Sequence, residues 1–191
     1  MLRPAVNWPR HFYPDSQMRQ SSAPSSHSRV MQIVRAKPED AATLTTIAFA
    51  AKRHWGYPER WIESWRDALT VRPDFITTHE TYSAVVEGRT VGFYSLGCKG
   101  HQLALQHLWV LPDAMGQGVG RSLFAHVLER ARVLGFGVLE IESDPNAASF
   151  YQHMGARRVG TRVTALEGQP RELPVLVYEV GRQVCPHHAG Y

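Results

Sequence analysis

Residues 103–134 read LALQHLWVLPDAMGQGVGRSLFAHVLERARVL, and this stretch decides the fold. An apolar run ends at Pro112, and glycines follow at every second position (Gly116, Gly118, Gly120). An amphipathic segment comes next, with Val119, Leu123, Val127, Ala131 and Leu134 on one helical face. The order predicts a strand, a glycine loop and a helix. Glycine permits positive φ and a close backbone approach, and the free N–H groups and dipole of a helix start attract anions. Together they predict a seat for a phosphate or pyrophosphate, and so a nucleotide-like ligand.

Known phosphate loops fit unequally. A Walker-type loop needs a lysine directly after its last glycine, and none follows here. A Rossmann fingerprint accepts Gly116 and Gly118, with Glu140 at about the right distance, but its third glycine falls on Arg121. No opening strand of a βαβ unit precedes it either. A glycine-rich turn without a ligand is the bland alternative.

The run HLWVLPDAMGQGVGRSLF, residues 107–124, resembles the acetyl-CoA-binding motif of the GNAT-type N-acetyltransferase superfamily, with Met115 where Arg or Gln is usual. A second block, DPNAASFYQHMG at residues 144–155, resembles the family's downstream Asn-x-x-Ala-x-x-x-Tyr-x-x-x-Gly segment, with Asp144 in the Asn slot and Ala147 in the Ala slot. The resemblance spans roughly residues 31–180. It implies an α/β (α+β) fold: a splayed, mixed, mostly antiparallel sheet of about seven strands with helices on both faces. It implies an enzyme with acetyl-CoA as co-substrate and no metal. Acetyl would pass to the amine of a small molecule or to an amino-terminal group by direct attack on the thioester. The rival reading is a non-catalytic CoA-binding or regulatory domain of the same shape.

The same resemblance implies roles. The backbone of Leu108 and Val110, flanking Trp109, pairs with the pantetheine arm as an added strand would. Met115, Gly116, Gln117, Gly118, Val119, Gly120, Arg121 and Ser122 surround the pyrophosphate, with Gly118 and Gly120 the most demanding because a Cβ would push the phosphates away. Asp144, Asn146, Phe150 and Tyr151 complete the cofactor side. Tyr151 falls on the tyrosine that protonates or hydrogen-bonds the departing thiolate, as a phenol with a pKa near 10 can; a packed core aromatic is the alternative. The usual base slot holds Gln106, which cannot accept a proton near neutral pH. Glu142 is taken as the catalytic base, with Glu140, His54 and His107 as the other candidates. Period-two alternation places His107 with Leu105 and Trp109, opposite Gln106, which suits a hydrogen-bonded core or surface histidine.

Acceptor recognition is expected in residues 48–65, AFAAKRHWGYPERWIESW. His54, Trp55 and Tyr57, with Gln106 and Arg171, form the expected acceptor site. Trp61, Trp65 and Leu69 recur every four residues and predict a buried helix face. An aromatic wall suits an apolar or cationic acceptor. The segment LEGQPRELP, residues 166–174, is expected to be a loop closing the pocket, with Arg171 meeting an anionic group.

Composition sets the boundaries. At 191 residues the chain is long enough for one domain with a sizeable core. Residues 1–30 hold Arg3, Arg10, Arg19 and Arg29 against Asp15, while the rest carries 17 basic and 16 acidic side chains. The basic excess therefore belongs to the arm, and no nucleic-acid partner is expected. No apolar run is long enough to span a bilayer, so no membrane association is expected. The expected division is a disordered basic arm at 1–30, a catalytic domain at 31–183 and a flexible tail at 184–191. The arm suits an over-long gene start better than a transit peptide, because it shows no clear amphipathic helix. Cys98 and Cys185 make no disulfide framework and suit a reducing, cytoplasmic setting. Ten histidines show no convincing metal-ligand spacing. Oligomeric state, a homodimer included, is left open.

Overall fold

The structure, a computed structural model, describes residues 30–100 and 102–181. The arm expected at 1–30, apart from Val30, and the tail at 184–191 lie outside the described residues. Seven strands form one sheet in the order β1-β2-β3-β4-β5-β7-β6. They are β1 (Met31–Arg35), β2 (Glu80–Val86), β3 (Arg89–Lys99), β4 (Gln102–Val110), β5 (Val138–Glu142), β6 (Arg157–Leu166) and β7 (Gln169–Glu179). All neighbours are antiparallel except β4 and β5. This is the mixed, mostly antiparallel sheet expected.

Two apolar layers sandwich the sheet. Helix α5 (Val119–Val133) buries Val119, Leu123, Phe124, Val127, Leu128 and Ala131 on one face, against Tyr94, Leu105 and Ile141. Helix α1 (Ala41–His54) lies on the other with Leu44, Ile47 and Ala48, against Phe93. Adjacent β3 residues, Phe93 and Tyr94, thus fill opposite layers, and both are fully buried. Burial of each such side chain contributes about 1.5–3 kcal/mol. Leu134, expected on the buried face of α5, is 39% exposed because the helix ends one residue earlier. Among the described residues no helix is long and apolar enough to cross a membrane.

The structure corrects the sequence reading in four places. The helix expected from Pro58 to Leu69 is two short pieces, α2 (Glu59–Ser64) and α3 (Arg66–Leu69), hinged at Trp65. Their buried residues are Ile62 and Leu69, while Trp61 and Trp65 are only half-buried and turn toward the β6–β7 side. A further helix, α4 (Pro73–Thr78), precedes β2. The expected loop at 166–174 is largely strand: β6 and β7 pair from Arg157 to Leu166 around a tight turn at Glu167 and Gly168. The two strands of this exposed hairpin thus run closer together in sequence than expected, leaving a turn of two residues.

The fourth correction concerns β4. In its pairing with β3, Ser95 faces His107 and Leu96 faces Leu105, so Gln106 is an extra, bulged residue. The bulge shifts the alternation by one. Leu105 joins the α5 layer, while His107 contacts Phe75 and Phe93 on the α1 side. Gln106 points the same way, its Cγ lying 3.2 Å from where a Cβ on Gly97 would stand. His107 is therefore not grouped with Leu105, nor opposed to Gln106.

Candidate active site

Strands β4 and β5 pair only from Leu103–Leu105 to Leu139–Ile141. Beyond the bulge they part, and β4 runs on to Val110 with the β5-facing edge of its backbone open. A cavity of about 860 Å³ occupies the gap. It runs from Gln106 past Leu108 and Val110 to the glycine loop and the start of α5. A second cavity of about 430 Å³ lies toward α1, α3 and β7. Gln106, His107, Trp109, Glu142, Ser143 and Asp144 line both cavities, which therefore meet at the splay.

The glycine loop has the conformation a backbone anion site requires. Gly118 caps α5 with φ +86°, in the left-handed region, and Gly116 has φ +75°. A Cβ at either would meet nothing within 4 Å, so the protein leaves space there. Gly118 thus starts the helix with the first N–H groups facing a cavity rather than a side-chain cap. Gly120 differs: it is helical, and a Cβ there would stand in ordinary contact, 3.6 Å from the Phe150 ring. Gly118 is the stricter of the two glycines singled out from sequence. Arg121 is exposed at the cavity wall, and Met115, Gln117 and Asn146 also line it. Val119 is buried in the core beneath the loop.

Tyr151, on α6 (Ala148–His153), is 6% exposed and lines the larger cavity. Its ring meets Phe124 and Phe150 edge-on, so it is both a packed aromatic and a cavity residue. Burial raises its phenol pKa well above the ordinary value, and the negative charge of Asp144 adds to the rise. The group stays protonated at any physiological pH.

Asp144 is the electrostatic centre of the site, which the sequence did not reveal. Its carboxylate accepts from Lys52 Nζ at 2.5 Å, the Tyr57 hydroxyl at 2.9 Å, Arg171 Nη2 at 3.1 Å and the Asn146 backbone N–H at 3.0 Å. Burial opposes its charge, but the Lys52 hydrogen bond and charge, with the Asn146 and Tyr57 bonds, outweigh that and lower its pKa. Lys52 moves down as well: burial lowers it more than Asp144 raises it, and Arg171 adds to the fall. The Lys52 ammonium lies 4.3 Å from the Trp65 ring centre and the Arg171 guanidinium 4.7 Å. Lys52 and Arg171 also lie over the Tyr57 ring, so of the two residues expected as an aromatic wall Tyr57 already carries the protein's own cations, while Trp55 lines the larger cavity. Arg171 does meet an anion, and that anion is Asp144.

The base candidates separate cleanly. His107 Nδ1 accepts the Trp109 indole N–H at 3.1 Å, so the neutral ring carries its proton on Nε2. Burial, then the neighbouring His79, push its pKa down to about 4. A neutral imidazole whose one acceptor nitrogen is already occupied is no base. Glu140 is tied to Lys99 at 3.1 Å and lines neither cavity. Glu142, paired with Arg162, lines both. His54 is exposed beside Trp55 and lies outside both cavities, whereas Trp55 lines the larger one. Among the described residues no cluster of His, Cys, Asp or Glu could hold a metal ion.

Comparison with known proteins agrees with this geometry. Residues 77–155 match the family model described as an acetyltransferase (GNAT) domain. The peptidyl-lysine N-acetyltransferase YiaC of Escherichia coli (strain K12) is 30% identical over 103 residues, 53% of this chain and 66% of that protein. The chain thus covers just under two thirds of that relative's length. A GCN5-related N-acetyltransferase from Rhodopseudomonas palustris shares the fold with TM-score 0.65 at 24% identity, covering 79% of this chain and 95% of that one. The PaiA N-acetyltransferase from Thermoplasma acidophilum, solved with coenzyme A, does so with TM-score 0.63 at 19% identity, covering 78% and 99%. The splayed seven-stranded sheet, the glycine-capped helix and the family match lead to one conclusion: the chain has the fold of the GNAT acetyltransferases and matches that family's domain over residues 77–155.

Proposed function

We propose that this protein is an acetyl-CoA-dependent N-acetyltransferase acting on the amine of a small molecule or an amino-terminal group. The observation that carries the reading is the meeting of two cavities at the splay, one running along the open β4 edge to the glycine loop and one lying toward α1, α3 and β7. Family relatives support an amine acceptor, the E. coli one being named for peptidyl-lysine. Fit to the co-substrate rests on the open β4 edge and on the space left around Gly116 and Gly118.

Acetyl-CoA supplies the activated acyl carbon. Leu108 and Val110 offer backbone groups to an extended arm along the β4 edge. The N–H groups after Gly118, with Arg121, offer positive potential to the phosphates. Glu142 takes the proton that the amine loses as its nitrogen bonds to the acyl carbon and the carbon–sulfur bond breaks. Tyr151 donates a hydrogen bond to the sulfur that leaves. Its raised pKa lies far above that of a thiol, near 8.5, so it stabilises the thiolate without giving up its proton. Asp144 is occupied by Lys52, Tyr57 and Arg171, so its part is to hold the site's walls.

The test is calorimetric titration of acetyl-CoA, then thiol release with a panel of amines and short peptides. Amine-dependent release that falls about a hundredfold or more in Glu142→Gln, with cofactor affinity kept, supports the reading. Binding without release by any amine or peptide favours a non-catalytic CoA-binding domain.

A further inference from the structure

The smaller cavity carries a charge imbalance that bears on what it accepts. Four ionisable groups that line it can be charged near neutral pH: Lys52, Arg171, Asp144 and Glu142. Glu142 is paired with Arg162, which leaves two cations sharing the single Asp144 carboxylate, and indeed its one oxygen, Oδ2. Both cations are sheltered, with side chains 7% and 17% exposed. A guanidinium has five N–H groups and an ammonium three. The bonds to Asp144, and the closeness of Arg171 to the Tyr57 hydroxyl, leave donors over. The remaining wall has an apolar part, Trp65, Trp109, Leu69 and Leu173, beside the polar Gln106, His107, Ser143 and Thr164.

Resting on the transferase reading above, we infer that the acceptor is a free amino acid with an apolar side chain, its carboxylate held by Arg171 and Lys52. Three features support this class over a simple amine, a diamine or a peptide. The site holds an excess positive charge in partly dry surroundings, where an anion is attracted and a second cation is repelled. The ring faces of Tyr57 and Trp65, which would otherwise take an acceptor's cationic group, already carry Lys52 and Arg171. Both cations stand one hydrogen bond from Asp144, a residue at the junction of the cavities. An anion they hold therefore lies beside the junction of the cavities, which suits a carboxylate one carbon from its amine, as in an α-amino acid. Burial also works against the charge on Lys52, and an arriving carboxylate favours that charge.

The experiment uses the full chain with acetyl-CoA and three matched sets: the L-amino acids, their carboxamides and their decarboxylated amines. Thiol release gives KM for each, and calorimetry gives acceptor affinity without turnover. At least one apolar amino acid should bind at least about tenfold better than its amide and its amine. Arg171→Gln should erase that preference, Arg171→Lys should restore part of it, and acetyl-CoA affinity should hold in both. Equal or better use of amides, diamines or dipeptides with blocked carboxylates overturns the inference while leaving the transferase reading intact. Carboxylate binding that depends on Arg171 without thiol release upholds the anion site and overturns the transferase reading. Failure of every amino acid to bind overturns the inference outright.

Discussion

The two sides of the splay are built by opposite means. The proposed cofactor side is built of backbone: an open strand edge, two positive-φ glycines and the N–H groups of a helix start, all from residues 106–122. The proposed acceptor side is built of side chains: Lys52, Tyr57, Trp65, Asp144 and Arg171 come from five separate segments and gather around one carboxylate. A backbone site is continuous in sequence and indifferent to most neighbouring side chains. A side-chain cluster exists only when the chain is folded, and each member depends on the others.

That contrast predicts where substitutions act. The largest effect is expected from Asp144→Ala, which strands the buried Lys52 and the half-buried Arg171. Removing one partner of a buried pair costs about 3–5 kcal/mol, so thermal denaturation should show a lower Tm even in saturating acetyl-CoA. Asp144 should also shape the acid limb. Its pKa is lower in the folded state, so its contribution is full above the unfolded carboxyl pKa, near pH 4, and is lost as pH falls through the depressed native value. Denaturation followed from pH 6 down to pH 2 should be less pH-dependent in Asp144→Ala. A variant as stable as the parent would dissolve the contrast.

Gly118→Val should do the reverse. A β-branched residue at φ +86° is strained by about 1–2 kcal/mol, and its side chain fills the phosphate cradle. Loss of one or two hydrogen bonds to a charged group implies roughly a hundredfold weaker acetyl-CoA binding, in a protein whose circular dichroism is unchanged. Tyr151→Phe comes next. A single hydrogen bond to the leaving sulfur is worth about ten- to a hundredfold in kcat, with acetyl-CoA affinity preserved. Smallest is Trp55→Ala: the ring is 37% exposed, and stability should move by no more than about 0.5 kcal/mol.

The backbone-built side was the one legible in the sequence. The Gly116–Gly118–Gly120 spacing and the amphipathic run after it predicted the loop and the helix together. Even there the ranking of the glycines needed coordinates. Gly120 and Gly118 look alike in a string, but only Gly118 adopts positive φ. The side-chain cluster was illegible for a physical reason. Lys52 reads as the solvated end of a helix, and nothing local shows that Asp144, 92 residues on, will bury it. The bulge at Gln106 was hidden likewise, because alternation was carried across it and one extra residue reverses every assignment beyond. A signal existed for the hairpin: β-branched residues in 157–166, then EG and a second apolar alternation, mark strands around a tight turn.

The most direct test of the account is CoA thiol release from acetyl-CoA by the parent protein beside Gly118→Val and Glu142→Gln, with amino acids, amines and short peptides as acceptors. The account predicts release that requires an amine in the parent. It predicts loss through cofactor affinity in Gly118→Val and through turnover in Glu142→Gln. Release that ignores the amine, or acetyl-CoA binding that is untouched by Gly118→Val, would contradict the meeting of a backbone-built cofactor seat and a side-chain-built acceptor site at the splay.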